Sequence, residues 1–155
     1  MKNTTFNQNI YLEYPDDFNE MSEEELNKYF ASEMLRFGVR NSEKHVALSV
    51  AKTKDSFLNL ITDAQSVLCG AENSLKKNLK DFAVTETFDA EMLGKVARGM
   101  GFEYSANDTG VKQFCEMTVV KGKRCFYVVY CACKLDDAQD NKVIFQAFRS
   151  SMKTL

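Results

Sequence analysis

The most sustained apolar pattern in the chain lies between Lys112 and Lys134. Two runs rich in β-branched and aromatic residues, Gln113–Val120 and Cys125–Cys133, flank Lys121-Gly-Lys-Arg124, which predicts a long β-hairpin. A two-residue loop at Gly122-Lys123, with glycine first as a type II′ turn requires, sets Lys121 opposite Arg124 and Val119 opposite Phe126. Side chains then sort by parity. One face carries Phe114, Thr118, Val120, Cys125, Tyr127, Val129, Cys131 and Cys133; the other carries Cys115, Met117, Val119, Phe126, Val128, Tyr130 and Ala132. Both faces are apolar, so the hairpin belongs inside a sheet covered on both sides; a half-solvated hairpin would alternate apolar with polar positions.

Period assigns the rest. Phe6–Tyr14 predicts a first strand with Ile10, Leu12 and Tyr14 on one face, stopped by Pro15, and Asp16-Asp17 turns the chain. Ser22 and Glu25 have capping-box spacing, and Leu26, Tyr29, Phe30, Glu33, Met34 and Phe37 recur at helical intervals, with Gly38 as the residue just beyond a helix end. His45–Lys52 is apolar at both parities and predicts an interior strand. From Phe57, and most clearly through Ala64, Val67, Leu68, Ala71, Leu75 and Leu79, a second helix follows, with Lys76, Lys77 and Lys80 on its other side. Phe82–Phe88 and Val96–Tyr104 predict two more strands, the second placing Gly99 and Gly101 on one face where another element can approach closely. Asp136 or Asp137 caps a last helix with Val143, Ile144, Ala147, Phe148 and Ser151 inward. No linker, internal repeat or low-complexity tract interrupts the chain, so 1–155 is expected to form one α+β domain. Its expected architecture is a three-layer α/β/α sandwich around a mostly antiparallel sheet of about six strands.

The residues Tyr11-Leu-Glu-Tyr-Pro-Asp-Asp-Phe18, the strand Glu43-Lys-His-Val-Ala-Leu-Ser-Val50, Gly101-Phe-Glu-Tyr104 and the closing Phe145-Gln-Ala-Phe-Arg-Ser-Ser151 give the chain a resemblance to small uncharacterised proteins of gut Firmicutes. Those proteins are similar in layout to the PsbP-like fold, shared by an extrinsic photosystem II subunit and a yeast Ran-binding import factor. The resemblance spans nearly the whole chain and none of its positions is a catalytic motif. It implies an α/β/α sandwich and a fold whose known members mostly bind proteins; function does not follow from fold alone.

Charge narrows the partners. With 20 basic and 22 acidic side chains, the net charge of -2 gives no general attraction to nucleic acid or anionic lipid, and leaves open only a local patch. Neither a nucleic acid nor a membrane is the expected partner. Five cysteines, an odd number without disulfide-framework spacing, fit a reducing compartment, and the N-terminal residues lack the apolar run of a secretion signal, so a cytoplasmic location is expected.

No residues converge on a recognisable chemistry. Cys131 and Cys133 point the same way on one strand about 7 Å apart, too far for a disulfide. Cys125 lies about 20 Å further along and Cys115 faces the other side, so no zinc set assembles and the thiols read as packing groups. His45, the sole histidine, has no nucleophile placed beside it and reads as a strand-end residue. Among Asp16, Asp17, Glu20, Glu23, Glu24 and Glu25, the last three suit a helix N-terminus and the others a solvated face. Lys121, Lys123 and Arg124 crowd the hairpin tip, where charge resists edge pairing. Gly99-Met-Gly101 lacks the third glycine of a dinucleotide fingerprint, since Tyr104 stands there. No catalytic, cofactor-binding or metal residue is therefore assigned and no cofactor is expected. The leading expectation is a non-catalytic protein-interaction domain that presents a sheet edge or helix face to another protein. The alternative is a small-molecule binder or minor enzyme using a hollow between sheet and helix at Gly99 and Gly101.

Overall fold

The structure, a computed structural model, describes residues 1–155. The central hairpin is strand β8 (Lys112–Lys121) paired with β9 (Phe126–Lys134), and it sits in the middle of a seven-stranded antiparallel sheet. On one side of it follow β5 (Val46–Lys52), β4 (Leu35–Asn41) and the short β3 (Asn19–Glu20); on the other, β7 (Lys95–Ser105) and the edge strand β6 (Lys80–Met92). The register differs from the expected one: Lys121 pairs with Phe126 and Val119 with Val128, so the loop is the four residues Gly122–Cys125, closed by the Gly122 N–H donating to the Cys125 carbonyl at 2.8 Å. A slip of two residues leaves every strand side chain on its expected face.

Those faces build two separate cores. Phe114, Val120, Val129, Cys131 and Cys133 join a cluster with helix α3 (Ala138–Ser150) through Phe145 and Phe148. Cys115, Met117, Val119, Phe126, Val128, Tyr130 and Ala132 join another with helix α2 (Ala64–Asn78) through Ala64 and Leu68. The chain is thus α+β, with seven strands in its main sheet where about six were expected.

A second, three-stranded sheet was not legible in advance. Phe6–Tyr14 is a hairpin, β1 (Lys2–Phe6) and β2 (Ile10–Tyr14), turned at Asn7 and Gln8, whose φ angles of 52° and 59° are ones asparagine tolerates better than most residues. β10 (Lys153–Thr154) pairs with the other edge of β2. Phe6, Ile10, Leu12 and Tyr14 still share one face, now against the α3 core, because the turn preserves parity.

The first expected helix is cut to one turn, α1 (Glu23–Leu26), although its capping box forms as read, Ser22 and Glu25 exchanging backbone and side-chain hydrogen bonds. Residues 35–41 go instead to β4, which supplies the partner that β5 needs. Gly38 lies mid-strand, and a Cβ there would come within 2.8 Å of Met21 Sδ and 2.9 Å of Leu26 Cδ2. Its role is to let α1 press against the sheet, not to end a helix. Arg36 of β4 ties down the segment that follows α1, donating to the Phe30 carbonyl at 2.8 Å.

The second helix is shorter too. Asp63 caps it by accepting from the Ser66 N–H at 2.8 Å, while Phe57–Leu60 form a separate 3-10 turn. In α3, Asp137 occupies the N-cap position without a side-chain cap bond, and the buried face is Ala138, Asn141, Phe145 and Phe148. Val143 and Ala147 point to solvent, contrary to expectation, because the two phenylalanines set the helix phase.

Candidate functional site

The glycine face of β7 is filled. Gly99 pairs with Phe88 and Gly101 with Glu86 across the β6–β7 ladder. The neighbouring side chains lie over the glycines so closely that a Cβ at Gly99 would clash with the Phe88 ring, and one at Gly101 would meet Glu86 Oε1 at 2.8 Å. Helix α3 closes the layer. Arg149 stacks its guanidinium 4.9 Å from the Phe88 ring centroid and donates to Glu116 Oε1 at 2.6 Å, while Lys142 sits 3.3 Å from Glu86 Oε1 and 5.2 Å from the Phe114 ring centroid. The hollow expected there for a ligand is thus occupied by the protein's own aromatic and charged side chains. Burial pushes the Glu116 carboxyl up, and the nearby Arg149 cation offsets only part of that effect.

An open cleft of about 420 Å³ lies at one end of the sheet, lined by Tyr29, Tyr104, Arg40, His45 and Gln113 among others. Tyr29 packs 5.4 Å from Tyr130, and Phe102 joins Tyr130 at 5.9 Å and Tyr104 at 6.3 Å. Burial pushes Tyr29 up to about 12 and raises Tyr104 and Tyr130 as well. Cys115 beneath them is also pushed up to about 12 by burial, with the Tyr130 and Tyr104 hydroxyls opposing the shift. At neutral pH this group offers neutral hydrogen-bonding groups rather than a base or a nucleophile. Arg40 is paired with Glu25.

The third feature is the β6 edge. No strand pairs with its outer side, and its thirteen residues leave alternate backbone groups open there. Register shifts at Lys80/Ala83 and Val84/Glu86, with Asp81 at a φ of 57°, break the first half of the strand; from Glu86 to Met92 the pairing with β7 is continuous. Beside that regular half, Gln65 and Leu68 of α2 face Thr87, Phe88, Asp89 and Gly99 across a cleft of about 390 Å³.

The residues weighed from the sequence are scattered. Cys131 and Cys133 are buried and unpaired on the α3 face; burial raises the first well above the usual thiol range and the second to about 11. Cys125 lies in the hairpin loop and Cys115 on the other face. No three His, Cys, Asp or Glu side chains converge on a metal-sized point. His45 stands exposed in the β4–β5 turn at a φ of 56°, one residue before the strand it was expected to open. Asp16, Asp17 and Glu20 lie on an exposed face, as expected, and four acids of the cluster, Asp16, Asp17, Glu23 and Glu25, also find cationic partners. Asp17 accepts from Asn41 Nδ2 and Lys44 Nζ, each at 2.9 Å, and the Lys44 bond holds its carboxyl low. Glu23 pairs with Arg36 at 2.7 Å and Asp16 with the N-terminal amine at 2.9 Å. Glu116 and Arg149 were missed, although a lone acid in an otherwise apolar central strand is the signal that finds such a pair.

No family model matches the chain, and no curated protein matches it in sequence. Solved structures do. Cyanobacterial PsbP (CyanoP) from Synechocystis sp. PCC 6803 is similar over 99% of this chain and 92% of its own, with a TM-score of 0.66 at 12% identity. The Saccharomyces cerevisiae Ran-binding protein Mog1p is similar over 98% of this chain and 95% of its own, with a TM-score of 0.63 at 10% identity. LpqN of Mycobacterium tuberculosis, involved in cell envelope biogenesis, is similar over 94% of this chain and 82% of its own, with a TM-score of 0.60 at 18% identity. Likeness at these identities is a likeness of fold, and the chain has the PsbP-like fold.

Proposed function

We propose that this protein is a non-catalytic interaction domain that takes up an extended segment of another protein along β6. The carrying observation is the open outer edge of Glu86–Met92 running beside the cleft between α2 and β6. A strand added there would pair its backbone with β6 and send alternate side chains toward the α2 cleft, the arrangement that gives strand-addition sites both affinity and selectivity. Glu91 stands exposed on this edge, while Glu86 and Asp89 are partly neutralised by Lys142 and Arg98, so a basic segment suits it better than an acidic one. That Mog1p, of the same fold, is a Ran-binding protein supports a protein as the ligand class. Free, buried, protonated thiols suit a reducing, cytoplasmic setting. The test is a photo-crosslinking residue at Thr87, with a second at Lys153 as control, in the cells that make the protein. One discrete polypeptide captured from Thr87 alone is expected; equal capture at both positions defeats the reading.

A second reading rests on the open tyrosine-lined cleft, which combines aromatic walls with the polar groups of His45 and Gln113 and so has the makings of a small-molecule site. Native mass spectrometry of the protein from its source cells separates the two. Excess mass of polypeptide size favours the edge, and excess of metabolite size favours the cleft.

A further inference from the structure

The 3-10 turn Phe57–Leu60 and the residue after it carry the densest run of exposed apolar side chains on the protein: Phe57, Leu58, Leu60 and Ile61 are 75%, 65%, 48% and 84% exposed. Exposed apolar residues scattered singly are ordinary, but four within five positions on one turn are not. The turn is also fixed in place. The Ser56 N–H and Asn59 Nδ2 donate to the Arg124 carbonyl at 3.0 and 2.9 Å, and Lys121 Nζ donates to the Leu60 carbonyl at 3.1 Å. Arg124 lies 5.1 Å from the Phe57 ring centroid, so turn and hairpin tip form one surface.

Around it stand Lys54, Lys95, Lys121, Lys123 and Arg124, and none of the five has a carboxylate within ion-pair distance. Lys95 Nζ is tied to the Lys121 carbonyl at 3.0 Å, which holds it in the group. The acids of the same segment are engaged: Asp55 with Lys52 at 3.3 Å and Asp63 with the Ser66 N–H. A chain of net charge -2 thus concentrates unpaired cations where its apolar side chains project.

We propose that the Phe57–Ile61 turn and the β8–β9 tip dock on an anionic lipid bilayer, the apolar side chains entering the headgroup boundary and the five cations facing the phosphate layer. High exposure means these side chains project, which suits a fluid interface that closes around them; a folded partner would need a groove matched to all four. Each cation near such a surface adds roughly fivefold to partitioning, in proportion to the surface charge. No helix is long and apolar enough to cross a membrane, and the contact is peripheral. It is independent of the β6 edge.

The test uses the full chain and vesicles of phosphatidylcholine, with and without phosphatidylglycerol. The protein has no tryptophan, so Phe57→Trp makes a sole reporter at the tip. Its emission is expected to shift to the blue with the anionic vesicles and to stay unchanged with the neutral ones, and added salt should reverse the shift. In co-sedimentation, K54Q with K123Q should lower partitioning about 25-fold, two cations at roughly fivefold each. L58D and I61D, on exposed side chains, should abolish binding while leaving the thermal melt unchanged. Failure of the wild-type chain to bind anionic vesicles at low salt overturns the proposal. So does binding that survives L58D and I61D, or binding to soluble polyglutamate in preference to vesicles.

Discussion

Arg149 of α3 sets its Nη1 2.6 Å from Oε1 of Glu116 on β8, with the two side chains only 12% and 5% exposed. In every other ion pair at least one partner is more than a third exposed. Taking two charges out of water costs about as much as their attraction returns, but removing one leaves the other uncompensated. Arg149→Met should therefore destabilise by about 3–5 kcal/mol, whereas Glu116→Leu with Arg149→Met should return most of that loss. Urea unfolding of the three proteins measures it. A double variant as weak as the single one would show that the pair itself, not the stranded carboxylate, supplies the stability.

The same carboxyl sets a pH dependence of unusual sign. Burial raises its folded pKa above the ordinary value of about 4.3, so between the two values the folded state keeps a proton that the unfolded state has released. Stability from this group is greatest below the ordinary value and falls as pH rises through the raised one. Asp17 and Glu25 run the opposite way: Lys44 and Arg40 lower their pKa values, so their contribution is present above the ordinary range and lost as pH falls. Glu116→Gln should gain on the wild type as pH rises from about 4.3 toward neutral. Denaturation midpoints across that range test this; a constant offset between the two proteins would contradict it.

Phe88 and Gly99 form a matched pair, the ring lying where a Cβ on residue 99 would go. Gly99→Ala must expel the ring and with it the Arg149 contact above. Since Phe88 occupies the edge strand, the displaced ring has solvent to move into. The cost should be on the order of 1–3 kcal/mol, the usual range for overpacking, and Phe88→Ala should cancel most of it. Additive losses in the double variant would mean that the two positions are not coupled.

Side-chain parity made the central hairpin legible, because the β8 and β9 faces survive any even slip in register. Helical spacing misled at Leu26–Phe37, where Met34 and Phe37 satisfy a 3.6 period and yet point to opposite cores from the end of one turn and the start of β4. Nothing local announces that β5 requires a partner there. Asn7-Gln8-Asn9 has turn composition, but the strands on either side of it keep one parity, so the run Phe6–Tyr14 has the pattern of a single strand. The spacing of the apolar run Phe57–Ile61 fits the helix face that follows it, and only the structure separates it from α2. The fate of Gly99 and Gly101 depended on which strand lay beside them, a fact of topology that spacing does not carry.

Thiol chemistry gives the most direct check on the two cores. Cys69 on α2 is exposed, its Sγ accepting from Gln65 Nε2 at 3.4 Å, and a maleimide can reach it in the folded protein. Cys115, Cys125, Cys131 and Cys133 are buried, and burial raises all four, Cys115 to about 12 and Cys133 to about 11. The attacking species is the thiolate, so these four are protected by both access and protonation at neutral pH. One equivalent should therefore react fast, and C69S should abolish it. The remaining four should react only on opening, at rates that climb with urea along the unfolding transition. Cys125, in the hairpin loop outside the strand ladder, is expected to be the first of them to yield. A second fast equivalent in the native C69S variant, mapped by peptide mass to Cys131 or Cys133, would mean that the α3 face opens on its own.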